Sequence, residues 1–446
     1  MNNARVAVGF VLLLIAGAFL LAQQPAPPAP GQVAGGPYDA QVEQNREQMF
    51  SRGRQVFRYD TFGDEAYWGG TLRLHEAIAG AKNDGVGPGV SPKTALAVGL
   101  KVDADALPAD LVAEIRAGHV NLDDPATTLA LLKLNSVVGV TGFFDPGGKL
   151  TSMGIQCAFC HSTVDDSFAP GIGHRLDGWP NRDLNVGAIV SLAPNLNPVA
   201  DLLGADIPTV KKVLASWGPG KYDAELNVDG RALRPDGKAA ATLIPPAFGL
   251  AGVNNHTWSG SRGTLPYWNA YVGVTQMHGK GTFIDRRLDV AENKIAMKTH
   301  LGDTRADPDL VSGQLAALHY YQLSLPAPTP PAGSFDADAA ARGDQIFRGK
   351  AKCSTCHVPP LYTEPGWNLH SPAEIGVDSF QAKRSPGEHA YRTAPLHGLF
   401  AHSKGGFYHD GRFATLRDVV DHYNTLKKLG LTEQEKRELV EFLKSL

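Results

Sequence analysis

Every cysteine of this 446-residue chain falls in one of two copies of a five-residue motif, Cys157-Ala158-Phe159-Cys160-His161 and Cys353-Ser354-Thr355-Cys356-His357. That spacing constrains the fold more than any other feature, because it is the attachment pattern of haem c. Two thiols bond the vinyl groups of one porphyrin across a single turn, and the adjoining histidine reaches the iron from the proximal side. Cys-x-x-Cys alone also serves redox dithiols and zinc sites. Two copies, each closed by His and leaving no spare cysteine, favour two covalently bound haem c groups. Cys157, Cys160, Cys353 and Cys356 would carry the cofactors, and His161 and His357 would ligate the metal.

Covalent haem attachment takes place outside the cytoplasm, so the motif predicts an exported, periplasmic protein. Arg5 precedes an uncharged apolar run from Val6 to Ala22, and a Gln-Pro-rich stretch follows at once. Residues 1–22 therefore read as a signal peptide or N-terminal anchor, the run being long for the first and short for the second, and a tether to the inner membrane stays open. Residues 23–40 read as a Pro-rich linker. The net charge of -3 supplies no basic field for nucleic acid. Forty-nine glycines and 31 prolines imply many turns, which suits short helices and loops wrapped around a large flat cofactor.

A proline-rich connector, Ser324 to Pro331, divides the chain. The expected fold is mainly α: two cytochrome c-like helical haem domains, the first enlarged by insertions with a small β-hairpin. The N-terminal haem domain would span 41–325, the linker 326–332 and the C-terminal cytochrome c domain 333–446. Before the connector, 307–323 predicts a helix with Asp307 as cap and Pro308 at the first position. After it, 336–347 predicts a helix running into the second motif, and Thr432 with Glu435 forms a capping box for the last helix. Within the enlargement, 107–117 reads as helical, and 137–140 and 150–156 flank Asp145-Pro146-Gly147-Gly148 as a hairpin.

Two internal correspondences link the halves. Arg52-Gly53-Arg54-Gln55-Val56-Phe57 matches Arg342-Gly343-Asp344-Gln345-Ile346-Phe347, and the motif starts 104 residues after the first glycine but 10 after the second. Pro246-Ala247-Phe248-Gly249-Leu250, Trp258-Ser259-Gly260 and Leu265 match Pro395-Leu396-His397-Gly398-Leu399, His409-Asp410-Gly411 and Leu416 in the same order. On that register Val272 takes the place of Tyr423, and Trp258 that of His409.

The segment from Phe407 to Asn424, with the second motif and the final helix, resembles the bacterial di-haem cytochrome c peroxidase superfamily, which includes the methylamine-utilisation di-haem enzyme and, more distantly, di-haem rubber oxygenases. The resemblance covers nearly all of 333–446 and is loose before it. It implies an electron-relay haem in the C-terminal domain and a peroxide- or oxygen-reactive haem in the N-terminal one. It also implies a periplasmic electron donor or acceptor such as a small cytochrome or cupredoxin, and often a Ca2+ ion between the domains. The relay's second axial ligand, Met or Tyr in the family, falls at Tyr423, with His409 and His422 as competitors. The last methionine of the chain is Met297, which excludes a thioether ligand from this domain and predicts a lower potential than a His/Met haem.

Val272 cannot bind iron, so the N-terminal haem is expected to have one face without a ligand from this segment. His174, His256, Met277 and His278 are candidates to close it, His174 by its position shortly after the motif. His256, Trp258 and Trp268 are the candidate catalytic surroundings, and Trp179 is the candidate inter-haem relay. No residue corresponds by sequence to the family's distal glutamate. The reading is a haem-dependent oxidoreductase, peroxidase-like; the alternative is a non-catalytic electron-transfer protein with both haems six-coordinate.

Overall fold

The computed structural model describes residues 36–260, 263–385 and 387–446. The apolar run at 6–22 lies outside the described residues, and no described helix is long and apolar enough to cross a membrane. The chain is mainly helical, with 44% helix and 9% strand, and among the described residues the strands pair as five two-stranded sheets. Residues Glu47–Leu446 pack as one compact unit. The first helix, Pro37–Tyr59, starts inside the stretch read as linker, because proline suits the first helical turn, where its missing N–H goes unused.

Each half closes in the same way. In the N-terminal half, Gly53 of the first helix lies against the helix Leu315–Ser324. A Cβ at Gly53 would stand 2.6 Å from Tyr321 Cβ and closer still to the Ala317 carbonyl. In the C-terminal half, Gly343 of the helix Ala337–Arg348 lies against Glu433–Lys444, where a Cβ would stand 2.7 Å from Phe442 Cβ and nearer still to the Glu438 carbonyl. Four residues on, Phe57 and Phe347 are fully buried and meet Tyr321 and Phe442 at ring-centroid distances of 5.5 and 5.0 Å. The glycines let two helix backbones touch, and the aromatic pairs fill the next turn.

The second correspondence is equally structural. Gly249 and Gly398 both adopt positive φ, +63° and +69°, and both donate their N–H to the carbonyl that ends the closing segment of their half, Leu325 at 2.9 Å and Leu446 at 2.8 Å. Thr257 and Tyr408 share positive φ, as do Gly260 and Gly411. Leu265 and Leu416 each open a helix behind a threonine, Thr264 and Thr415.

Local expectations hold in most places. Asp336 caps its helix through Ala339 N–H at 3.0 Å, and the Thr432–Glu435 capping box is present. The helix read at 107–117 runs Ala109–Arg116. The hairpin pairs Val140–Phe144 with Leu150–Ile155, its first strand later than read. The helix expected from Asp307 starts only at Leu315. Asp309 is the cause: its carboxylate accepts the N–H groups of Thr282, Val311 and Ser312 and the Ser312 hydroxyl, fixing a turn that competes with the helix.

The enlargement, roughly 60–156, wraps one side of a large cavity. Its apolar cluster includes Leu72, Leu74, Leu131, Leu132 and Met153. Buried ions join the halves: Arg384 pairs with Asp223 at 2.9 Å and Asp229 at 2.8 Å, all nearly inaccessible, and Arg234 reaches Asp378 and Asp410.

Candidate functional site

The cavity lies at the first motif. Cys157, Cys160 and His161 stand on its wall with Phe62, Trp68, Leu131, Phe159, Val272 and Met277, and the lining is predominantly apolar. Its volume is about 240 Å³. The two thiols are only half-buried at this wall, yet the enclosing protein pushes both up to about 12. A redox dithiol requires the opposite shift, so the cysteines are placed for attachment rather than exchange. Burial likewise pushes His161 down to about 4, leaving a neutral imidazole able to ligate. The Pro245 carbonyl faces that ring, although Nδ1 lies outside hydrogen-bond geometry. An apolar cradle, two paired thiols and a neutral histidine fit a haem c.

Val272 lines this cavity, where the C-terminal half has Tyr423. The helix Leu265–Tyr271 then widens into a π turn, Val272–Gln276, a geometry common at functional sites. The turn delivers Gln276 and Met277 to the same wall. Gln276 accepts from the Tyr222 hydroxyl at 2.5 Å and donates to the Ala224 carbonyl at 2.8 Å. This bond ties the segment 222–225 to the Val272 face and brings Glu225, 2% exposed, onto the wall. Among the described residues, Glu225 is the only acidic one lining the cavity.

At the second motif, His357 Nδ1 meets the Tyr362 carbonyl at 3.1 Å. A partner on one ring nitrogen fixes the tautomer and frees the other for metal. Burial pushes His357 down to about 4 and Cys353 up to about 11. A zinc site would gather both cysteines and this histidine. Among the described residues, the one cluster of ligating atoms is instead Cys356, Glu364 and His370, and there His370 Nε2 pairs with Glu364 at 2.6 Å while Glu364 also accepts from the Thr393 hydroxyl. The arrangement again suits haem c.

Of the three candidate ligands of this half, His422 is occupied, whereas Tyr423 and His409 both stay available, the buried Nε2 of His409 having no hydrogen-bond partner among the described residues. Burial raises the Tyr423 hydroxyl, a hydrogen bond with Tyr408 opposes the shift, and the charges of Cys353 and Cys356 are felt there as well. His409 is 2% exposed, stacks on Tyr391 at 5.0 Å, and faces Asp410, Arg412, Asp378 and Arg234. His422 Nε2 is taken by the Ile375 carbonyl at 2.8 Å.

Of the candidates around the first haem, His256, Trp258 and Trp268 line the cavity. His174 does not: it lies at the surface with Nδ1 on Asp105 at 2.8 Å, an ion pair more than half exposed on both sides, so its position after the motif does not carry it to the iron face. His278 is stacked on Tyr67 at 3.6 Å instead of lining the cavity. Trp179 contacts rings from both halves, Phe248 at 6.4 Å and Phe400 at 5.6 Å. Glu225 and Gln276 carry no sequence motif; the neighbouring acids Asp223 and Asp229, which meet Arg384 more than 150 residues away, are the nearest signal.

No protein-family model matches the chain. It is 30% identical over 122 residues to the methylamine utilization protein MauG of Methylorubrum extorquens, covering 24% of this chain and 34% of that protein. It is 29% identical over 259 residues to the cytochrome-c peroxidase IdrP1 of Denitromonas iodatirespirans, covering 46% of this chain and 67% of that protein. The matched region thus spans about a third of the length of the MauG relative. A solved MauG-like protein associated with microbial copper homeostasis aligns at a TM-score of 0.31 and 17% identity, over 50% of this chain and 79% of that one. Haem c is the cofactor that the two named relatives imply. Two haem c motifs, a twice-built helical clasp and the likeness to these two named relatives support the di-haem cytochrome c peroxidase superfamily.

Proposed function

We propose that the protein is a periplasmic di-haem oxidoreductase, peroxidase-like, in which the C-terminal haem relays electrons to an N-terminal haem that meets peroxide or dioxygen. The observation that carries this reading is Val272 on the cavity wall at the register position of Tyr423: the N-terminal half lacks the side chain best placed to close the iron in the C-terminal half. Haem c, when bound, would supply the redox-active iron through which electrons from the external donor pass. The chain's own residues do the rest. Glu225, held by the Tyr222–Gln276–Ala224 bonds, is positioned to give and take the proton that peroxide cleavage requires. Gln276 orients that segment, the apolar lining excludes water, and Trp179 bridges the halves. The electron donor would be a small periplasmic cytochrome or cupredoxin.

Cyanide added to the oxidised protein is expected to shift its optical spectrum, with a high-spin ferric band present beforehand. A spectrum unmoved in both redox states establishes the second reading, a carrier with both haems six-coordinate, which Met277 on the same wall favours. Tyr423→Phe is expected to remove the low-spin ferric signal of the C-terminal haem in electron paramagnetic resonance, and His409→Ala to preserve it. A signal that survives in Tyr423→Phe would assign the ligand elsewhere.

A further inference from the structure

Among the described residues, one buried cation has no counter-charge. Arg182 is 5% exposed, and among the described residues only its Nη1 finds a partner, the Lys404 carbonyl at 3.2 Å; Nε and Nη2 have none there. A buried guanidinium without an anion is strongly unfavourable, and the adjacent acid does not supply one, because Asp183 pairs with Lys101 and Lys404. Beside it His402, 8% exposed, leaves Nε2 without a partner and feels the Arg182 charge. Burial pushes His402 down to about 3, so the ring is neutral and can offer an N–H.

The two unused nitrogens of Arg182 are those that grip a carboxylate side-on. Arg73 shows the same grip in this molecule, holding Glu76 through Nε at 2.8 Å and Nη2 at 2.6 Å. Position indicates which carboxylate is missing. Arg182 does not line the His161 cavity. His402 ends the turn Leu399–His402, and Leu399 belongs to the apolar cluster that Cys353 packs against. A porphyrin anchored through its vinyl groups presents two propionate carboxylates at its other edge. We propose that Arg182 and His402 bind a propionate of the haem carried by Cys353 and Cys356, so that the N-terminal half anchors the cofactor of the C-terminal half.

The inference rests on the haem reading of the second motif, and the test separates the two. Arg182→Gln is compared with the unmodified protein by pyridine haemochrome count and by redox titration of the low-spin haem between pH 6 and 9. Two haems should remain attached. The ferrous/ferric equilibrium of the C-terminal haem should shift at least tenfold toward ferric, about 59 mV for one electron, because a carboxylate without its cation stabilises the more positive iron. Its potential should also become pH-dependent near neutrality, since that carboxylate now takes up a proton at higher pH. Arg182→Lys should restore most of both. A merely structural arginine would move neither, so an unchanged potential and pH profile with two haems bound overturns the proposal. If Arg182→Gln does not accumulate, His402→Gln is titrated in the same way, and an unaltered pH profile there overturns it equally. A haem count of zero at Cys353 and Cys356 in the unmodified protein would sink the haem reading itself.

Discussion

Glu225→Gln is expected to lower kcat for peroxide reduction by roughly 10²–10⁴-fold, the range for loss of a positioned acid–base group, while haem content and the resting spectrum stay as they are. The substitution keeps the shape of a side chain that is 2% exposed and leaves the Gln276 bond to the Ala224 carbonyl intact; it removes the proton-transfer group and one of the negative charges around Arg384, which keeps its pairs with Asp223 and Asp229. Stopped-flow mixing of the reduced protein with hydrogen peroxide measures it. His256→Gln is the comparison: its ring stands on the same cavity but meets the Leu250 carbonyl, away from Gln276, and a small effect is expected. Equal losses in both variants would move the proton-handling role away from Glu225.

Gly343→Ala should destabilise the C-terminal half by roughly 1–3 kcal/mol, the usual range for overpacking, with incomplete haem incorporation at Cys353 and Cys356. Its new methyl would collide with the Glu438 carbonyl and stand 2.7 Å from Phe442 Cβ, and a helix backbone cannot yield as a flexible side chain does. Gly366→Ala, where a Cβ meets nothing within 4 Å, is the control. Denaturant unfolding of the two holoproteins reads the difference. Gly53→Ala should mimic the defect in the N-terminal half, because its methyl meets the Ala317 carbonyl and Tyr321.

Much of this was legible in the residues. The motifs announce themselves, and the register between 246–265 and 395–416 is written in glycines whose positive φ and hydrogen bonds repeat. That register placed Val272 and Trp258 on the N-terminal cavity. What stayed hidden depends on distance along the chain. Arg384 finds Asp223 and Asp229 only when folded, Glu225 reaches the cavity through a bond to Gln276's neighbourhood, and His174 was drawn toward the iron by sequence proximity although Asp105 holds it outside. Asp309 shows the local version: a side chain that satisfies three N–H groups can outbid a helical start signal.

The paired glycine crossings also bear on how the molecule assembles. The partners Gly53 and Ala317 are 264 residues apart, whereas Gly343 and Glu438 are separated by 95. Loop-closure entropy makes the longer separation cost only about 0.9 kcal/mol more, a small term at equilibrium. For folding order it matters more, because non-local pairing slows with contact order. In the full-length chain the C-terminal clasp therefore shuts faster than the N-terminal one, whose wider loop leaves Cys157 and Cys160 reachable for cofactor attachment for longer during folding.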